Sequence, residues 1–280
     1  MKLGIQDLYF KILEFEGEYI YENLLKIWAV KNDYENYIIQ LSEKIFAEKH
    51  IFSQEDFWEL YALSRVLDIL TLRLQPNNNS DESEWHGPDL SSLEYIKFCT
   101  LIGLQVSTPS SFHDFDCEII EAKSGKINFQ IDECLFPAIK LKNLVIKRAG
   151  LRVFLNNENF DLNRVNNSKI YWTSRRRNRH FHDLSIGWGS NSQWRTNFRL
   201  DIETEENFIY NYQGRINLNH PKEEYSDQLD DLSIGEAIEL TKVRHFIHST
   251  KDDSDLFPYD FRYDEDKITA QNKLPTSLFL

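Results

Sequence analysis

The hydrophobic period of the chain changes part-way along, and no single packing geometry serves both halves. Over residues 5–75 apolar side chains recur at three- and four-residue steps. Tyr34, Tyr37, Ile38, Leu41 and Ile45 form one stripe, and Phe57, Trp58, Leu60, Tyr61, Leu63, Val66, Leu67 and Leu70 a broader one. That spacing puts each set on one face of a helix. Beyond Pro109 the period falls to two, in short segments rich in β-branched and aromatic residues: 117–122, 127–131, 144–154 with a break at Ala149 and Gly150, 170–174, 194–202, 208–212 and 242–248. The pattern predicts an α+β protein, an N-terminal helical bundle followed by a mostly antiparallel β-sheet domain.

The helical part is expected to span residues 1–75 as three helices. The first covers roughly residues 6–30, with an interruption at Gly17. Asp33 is a cap for the second, and Ser53 with Asp56 makes a capping box for the third. Between Pro76 and Ser92 the run PNNNSDESEWHGPDLSS reads as a linker loop, and its Trp85 and His86 imply that it folds back on the protein. Residues 93–280 then form the sheet domain. It opens with a helix over 93–104 capped by Ser91 or Ser92, has a short helical or irregular connection at 132–141, and ends in an acidic, irregular tail from Ser249.

The formal net charge is -13, and residues 1–92 hold 8 basic against 17 acidic side chains. A surface of that sign disfavours duplex nucleic acid as a partner and suits a basic protein, although dispersed charge on helices also serves only to keep them solvated. The three cysteines are widely spaced, with no Cys-x-x-Cys pair, and read as ordinary thiols. With no apolar run of membrane-spanning length, a cytoplasmic location without membrane association is expected.

Against this acidic background residues 171–201 stand out, with six arginines, three of the six tryptophans and two acids. If residues 194–202 form a strand, Arg195, Asn197, Arg199 and Asp201 share the face opposite Trp194, Phe198 and Leu200. Arg195 and Arg199 would then suit a carboxylate or phosphate held between forked donors, or each would pair with a neighbouring acid. The preceding loop, with Trp188, Asn191 and Gln193, has the small and amide-rich composition of a binding loop, and equally that of a tight structural turn. The run Arg175-Arg176-Arg177-Asn178-Arg179 reads as a solvated face, or as phosphate-pairing groups beside Tyr171 and Trp172. The candidate ligand-binding set is Arg179, Asp183, Trp188, Asn191, Gln193, Arg195 and Arg199.

Two further clusters contain metal-ligand residue types: His180 and His182 with His245 and His248, and the set from His113 to Glu121. Neither has diagnostic spacing, so no metal site is assigned, and no nucleophile is apparent. Cofactor and catalytic residues stay unassigned.

The runs FHDFDCEIIE (112–121), KRAGLRV (147–153), YWTSRRRNR (171–179) and DLSIGWGSNSQWRTNFR (183–199) resemble a family of bacterial proteins to which no activity is attached. The resemblance implies that Asn191, Gln193, Trp194, Arg195 and Arg199 belong to the family's signature stretch. Two functions follow as expectations. One is a polar Arg/Trp/Asn pocket for an anionic, nucleotide-like ligand. The other is an immunity or antitoxin protein whose acidic surface covers a basic toxin or nuclease.

Overall fold

The computed structural model describes residues 4–45, 52–77, 85–156, 158, 160–172, 175–179, 194–221, 232–247 and 258–272. The N-terminal helices are α1 (Ile5–Leu13), α2 (Lys26–Lys31), α3 (Tyr34–Ile45) and α4 (Gln54–Leu70), with a π-helical turn at Tyr21–Leu25 leading into α2. The long first helix expected from the sequence is thus divided, with residues 14–19 between its parts. Helix α4 begins with the expected capping box, Ser53 accepting from the Asp56 N–H while the Asp56 carboxylate accepts from the Ser53 N–H. Helix α5 (Ser92–Leu101) uses the same device through Ser91 and Glu94.

The strands are β1 (Gln105–Ser107), β2 (Cys117–Gly125), β3 (Phe129–Phe136), β4 (Ala138–Leu141), β5 (Leu144–Lys147), β6 (Ala149–Asn156), β7 (Asp201–Glu203), β8 (Asn207–Tyr210), β9 (Ile216–Asn217) and β10 (Phe261–Asp266). They form a seven-stranded sheet in the order β1-β4-β5-β7-β8-β10-β9 and a three-stranded sheet in the order β2-β6-β3. Two pairings, β2 with β6 and β9 with β10, are parallel, and the remaining six are antiparallel. The fold is therefore α+β, with helices preceding the sheets. Helix α6 (Leu162–Asn167) packs on β2, and α7 (Ile234–Val243) and α8 (Lys267–Asn272) lie beside β10.

One apolar core unites the helical part with the large sheet: Leu8, Ile38, Leu60 and Val66 pack in the same cluster as Phe98, Ile139, Leu144 and Ile202. Trp85 leans on that cluster, so the segment from Pro76 to Ser92 does fold back where it is described. Among the described residues no helix is long and apolar enough to cross a membrane.

Four local expectations are corrected. Residues 132–141 hold the end of β3 and all of β4 rather than a helical connection. Of the segment expected as a strand over 242–248, residues 242–247 are the last turn of α7 and an irregular run, because the Ser233–Glu236 capping box starts a helix that continues through Lys242 to a left-handed Arg244, and His248 lies outside the described residues. The acidic tail contains β10, whose Glu265 is neutralised by Lys242. Only the last two residues of 194–202 are in a strand, β7, while 195–200 are irregular.

Gly150 shows how tightly the small sheet is built. It pairs with Glu118 on one side and Phe136 on the other, and a Cβ there would lie 2.2 Å from the Phe136 ring. Gly150→Ala is expected to destabilise the fold by about 1–3 kcal/mol. Adding Phe136→Ala should make the pair less harmful than the two single effects summed, as read by urea unfolding.

Candidate functional site

The arrangement begins at Asp201, the first residue of β7, whose side chain is fully buried. Its Oδ1 accepts from Arg199 Nε at 2.6 Å and from the Asn211 N–H at 2.9 Å. Its Oδ2 accepts from Arg244 Nη2 at 2.8 Å and Arg148 Nη2 at 3.2 Å. Two of these guanidiniums also cap the end of α7: Arg199 Nη2 donates to the Thr241 carbonyl and Arg148 Nη1 to the Lys242 carbonyl, each at 2.6 Å. Those carbonyls belong to the last turn, which has no intrahelical donors for them.

A second charged group lies across the same cavity. Arg176 grips Glu118 with two bonds of 2.7 Å and reaches Asp68 on α4 at 3.0 Å, and Asp68 also pairs with Lys147 at the end of β5. A cavity of about 40 Å³ separates the two groups, and its lining includes Asp68, Glu118, Lys147, Arg148, Arg176, Arg199 and Arg244. The lining continues through half-buried Ser64 to exposed Asn197, so the cavity reaches the surface. Its volume holds about three waters or one small oxyanion.

The two groups differ in charge balance. Asp68 and Glu118 are matched by Lys147 and Arg176. Asp201 is one carboxylate against three guanidiniums, an excess of two positive charges. The dipole of α7 supplies roughly half a negative charge at its C-terminus, too little to close the gap. Three nitrogens of this group, Arg148 Nε, Arg199 Nη1 and Arg244 Nε, are buried without a hydrogen-bond partner. Leaving a buried charge uncompensated costs about 3–5 kcal/mol, against a total stability of about 5–15 kcal/mol for a typical domain.

The titration behaviour has the same cause. Burial alone would raise the Asp201 carboxyl, but Arg199, Arg244 and Arg148 hold it well below the usual range. Burial likewise opposes ionisation of Glu118, and Arg176 overrides it to about 2. Burial and the neighbouring guanidiniums push Arg199 down to about 9 and Arg244 down to about 10.

Of the residues expected from the sequence, Arg199 lines this cavity, with its guanidinium 4.1 Å from the centre of the Trp172 ring. Arg195 does not join it. It lies over Trp58 at 5.2 Å, in a separate surface groove with Phe10, Glu55 and Trp194. Arg179 is buried next to α6 and donates to the carbonyls of Ile119 and Ser168 at 3.4 and 3.5 Å, and to that of Val165. Asp183, Trp188, Asn191 and Gln193 lie outside the described residues, as do His180, His182 and His248. The fourth histidine of that set, His245, is fully buried, and burial and Arg179 push it well below its ordinary range. In the other cluster Asp114 pairs with Lys242, Asp116 with Lys140, Glu118 with Arg176 and Glu121 with Arg152, so these acids meet cations.

Sequence reasoning missed Arg148, Arg244, Asp68, Glu118 and Lys147 as site residues. The available signal was charge inside apolar runs: Lys147-Arg148 between LVI and AGL, and Arg244 before His245-Phe246-Ile247. No family model, curated protein or solved structure matches the chain.

Glu118 and Asp201 both titrate lower when folded than when unfolded. The stability they confer is thus present above about pH 4.5 and lost as pH falls toward about 2. Unfolding free energy measured across that window should decline, and Glu118→Gln should flatten the decline. At neutral pH Asp201→Asn is expected to cost about 3–5 kcal/mol by removing the one carboxylate among three cations.

Proposed function

We propose that the protein binds a small anionic ligand, one carrying phosphate, in the cavity between α4, β5 and the irregular segment before β7. The observation that carries this reading is the imbalance at Asp201: three guanidiniums on one buried carboxylate, each residue lining a cavity of oxyanion size and each with one nitrogen that has no hydrogen-bond partner. Arginine suits the task because it stays charged when buried and presents its donors in a fixed fork. A nucleotide is a ligand of this kind, with its phosphate in the cavity and its base outside, since about 40 Å³ does not admit a base. The three cysteines, none of them in a disulfide, suit a reducing compartment such as the cytoplasm. No reaction is assigned to the site.

Thermal unfolding with inorganic phosphate, sulfate and nucleoside 5′-monophosphates tests the reading. Saturation at 100 times the dissociation constant stabilises the wild type by about 2.7 kcal/mol, which raises its Tm. Arg199→Gln should remove at least most of the rise. A folded wild type whose Tm none of these anions raises is incompatible with the proposal.

A further inference from the structure

We infer that the groove between α1 and α4 seats an arginine side chain presented by a basic segment of a protein partner. This groove shares no lining residue with the cavity at Asp201, so the inference is independent of the anion-binding reading. On α4, Glu55, Trp58, Glu59 and Ala62 follow one another at steps of one, three and four residues, a stripe distinct from the buried one of Leu60, Leu63 and Leu67. Asp7 and Phe10 of α1 line the other wall, and Trp194 packs edge-on against Phe10 with ring centres 5.6 Å apart. The groove measures about 570 Å³, within the range of roughly 300–1,000 Å³ typical of ligand sites.

Two observations identify the occupant as a cation. The groove already holds one, for the guanidinium of exposed Arg195 lies 5.2 Å from the centre of the Trp58 ring and forms no ion pair among the described residues. An indole face attracts a guanidinium more strongly than the other aromatic side chains do. The groove also has two carboxylates without cations. Glu55 is exposed, and among the described residues only Oε1 of Glu59 accepts hydrogen bonds, from the Ile5 N–H at 2.7 Å and the Tyr34 hydroxyl at 2.9 Å. Neither carboxylate forms an ion pair among the described residues, whereas Asp7 is held by Lys11. Burial raises the Glu59 carboxyl, a cost that a neighbouring cation offsets. The surroundings favour a polypeptide over a single amine. Phe10 and Leu13, 44% and 38% exposed, continue the α1 stripe past the groove, and exposed Glu14, Glu16 and Glu18 follow with no basic residue between them. Complementarity to positive charge thus extends beyond one side chain, in a part of the chain with 8 basic against 17 acidic residues over 1–92.

Isothermal titration of the full chain at about 0.15 M ionic strength tests the inference with three probes: hexa-arginine amide, the uncharged hexacitrulline amide of the same shape, and L-argininamide. Hexa-arginine is expected to bind one per chain, and hexacitrulline not at all. Glu55→Gln and Trp58→Leu should each weaken hexa-arginine by about two- to fivefold. Arg195→Gln should strengthen it by vacating the Trp58 ring, and by more than Lys126→Gln, which removes an equal charge from an exposed position outside the groove. Glu55 is exposed, so its variant decides the matter even if Trp58→Leu does not fold. Hexa-arginine binding both groove variants as tightly as the wild type assigns the affinity to the dispersed acidic surface and overturns the site. Equal gains from Arg195→Gln and Lys126→Gln overturn the seat over Trp58. L-argininamide binding as tightly as hexa-arginine overturns the polypeptide partner, and a folded wild type that binds none of the three removes the inference entirely.

Discussion

The Asp201 carboxylate is the point at which distant parts of the chain are tied together. Arg148 brings in the junction of β5 and β6, Arg199 the irregular segment before β7, Arg244 the end of α7, and the Asn211 N–H the turn after β8. A hydrogen bond to a charged group contributes about 1.5–3 kcal/mol, so four on one buried carboxylate are a large part of a marginal stability. They also fix geometry, because each donor reaches the same two oxygens from a different element. The cavity beside Asp201 exists because these elements converge there without filling the space between their guanidinium heads.

Buried ions alone do not mark a binding site, and this protein supplies its own comparison. Lys242, Glu265, Asp114 and Tyr210 form another buried network, in which Lys242 Nζ lies 2.6 Å from Glu265 and 3.3 Å from Asp114. Tyr210 donates to the free oxygen of Glu265. That network joins β8, β10 and α7, and its cation is enclosed by acids. The pair of Asp68 and Glu118 with Lys147 and Arg176 is balanced and joins α4 to both sheets. What distinguishes the Asp201 group is the sign of its imbalance, three guanidiniums on one carboxylate, together with one guanidinium nitrogen on each that has no hydrogen-bond partner. In a chain with net charge -13, two surplus buried cations run against the general composition, and that local exception is the basis of the functional reading.

The sequence made α3, α4 and α5, the caps at Ser53 and Ser91 and the α+β class legible because those depend on local spacing, whereas the Ser233 cap that starts α7 was passed over. Ser53 with Asp56 and Ser91 with Glu94 satisfy donors within four residues of each other, so the pattern and the structure are the same fact. The site was legible only in part. Arg199 was found through its place in an arginine-rich run, but its partners Asp201 and Thr241 lie two and 42 residues away, and nothing in a linear pattern brings Arg148 to Arg244. The tail misled for a related reason. Phe261–Asp266 looks like solvated acid until Lys242 is placed against Glu265, and only the tertiary fold does that. Arg195 misled in the opposite way. Strand alternation puts it on the face of Arg199, yet residues 195–200 follow no strand, and the two guanidiniums diverge to separate cavities.

Backbone conformation adds an independent indication that the convergence on Asp201 is held against a cost. Six non-glycine residues among those described have positive φ, and three of them, Trp172 (53°), Asn211 (55°) and Arg244 (72°), contribute to this one place. Trp172 supplies the ring beneath Arg199, Asn211 an N–H to Asp201, and Arg244 a guanidinium at the end of α7. A left-handed conformation costs a non-glycine residue about 1–3 kcal/mol, and such residues persist where the surroundings over-determine them. Here the surroundings are the Asp201 hydrogen bonds. Strain, like-charge repulsion and unpartnered nitrogens are each unfavourable, and all three are concentrated around one small cavity. The frame that these residues make keeps three guanidiniums converged on Asp201 against their mutual repulsion.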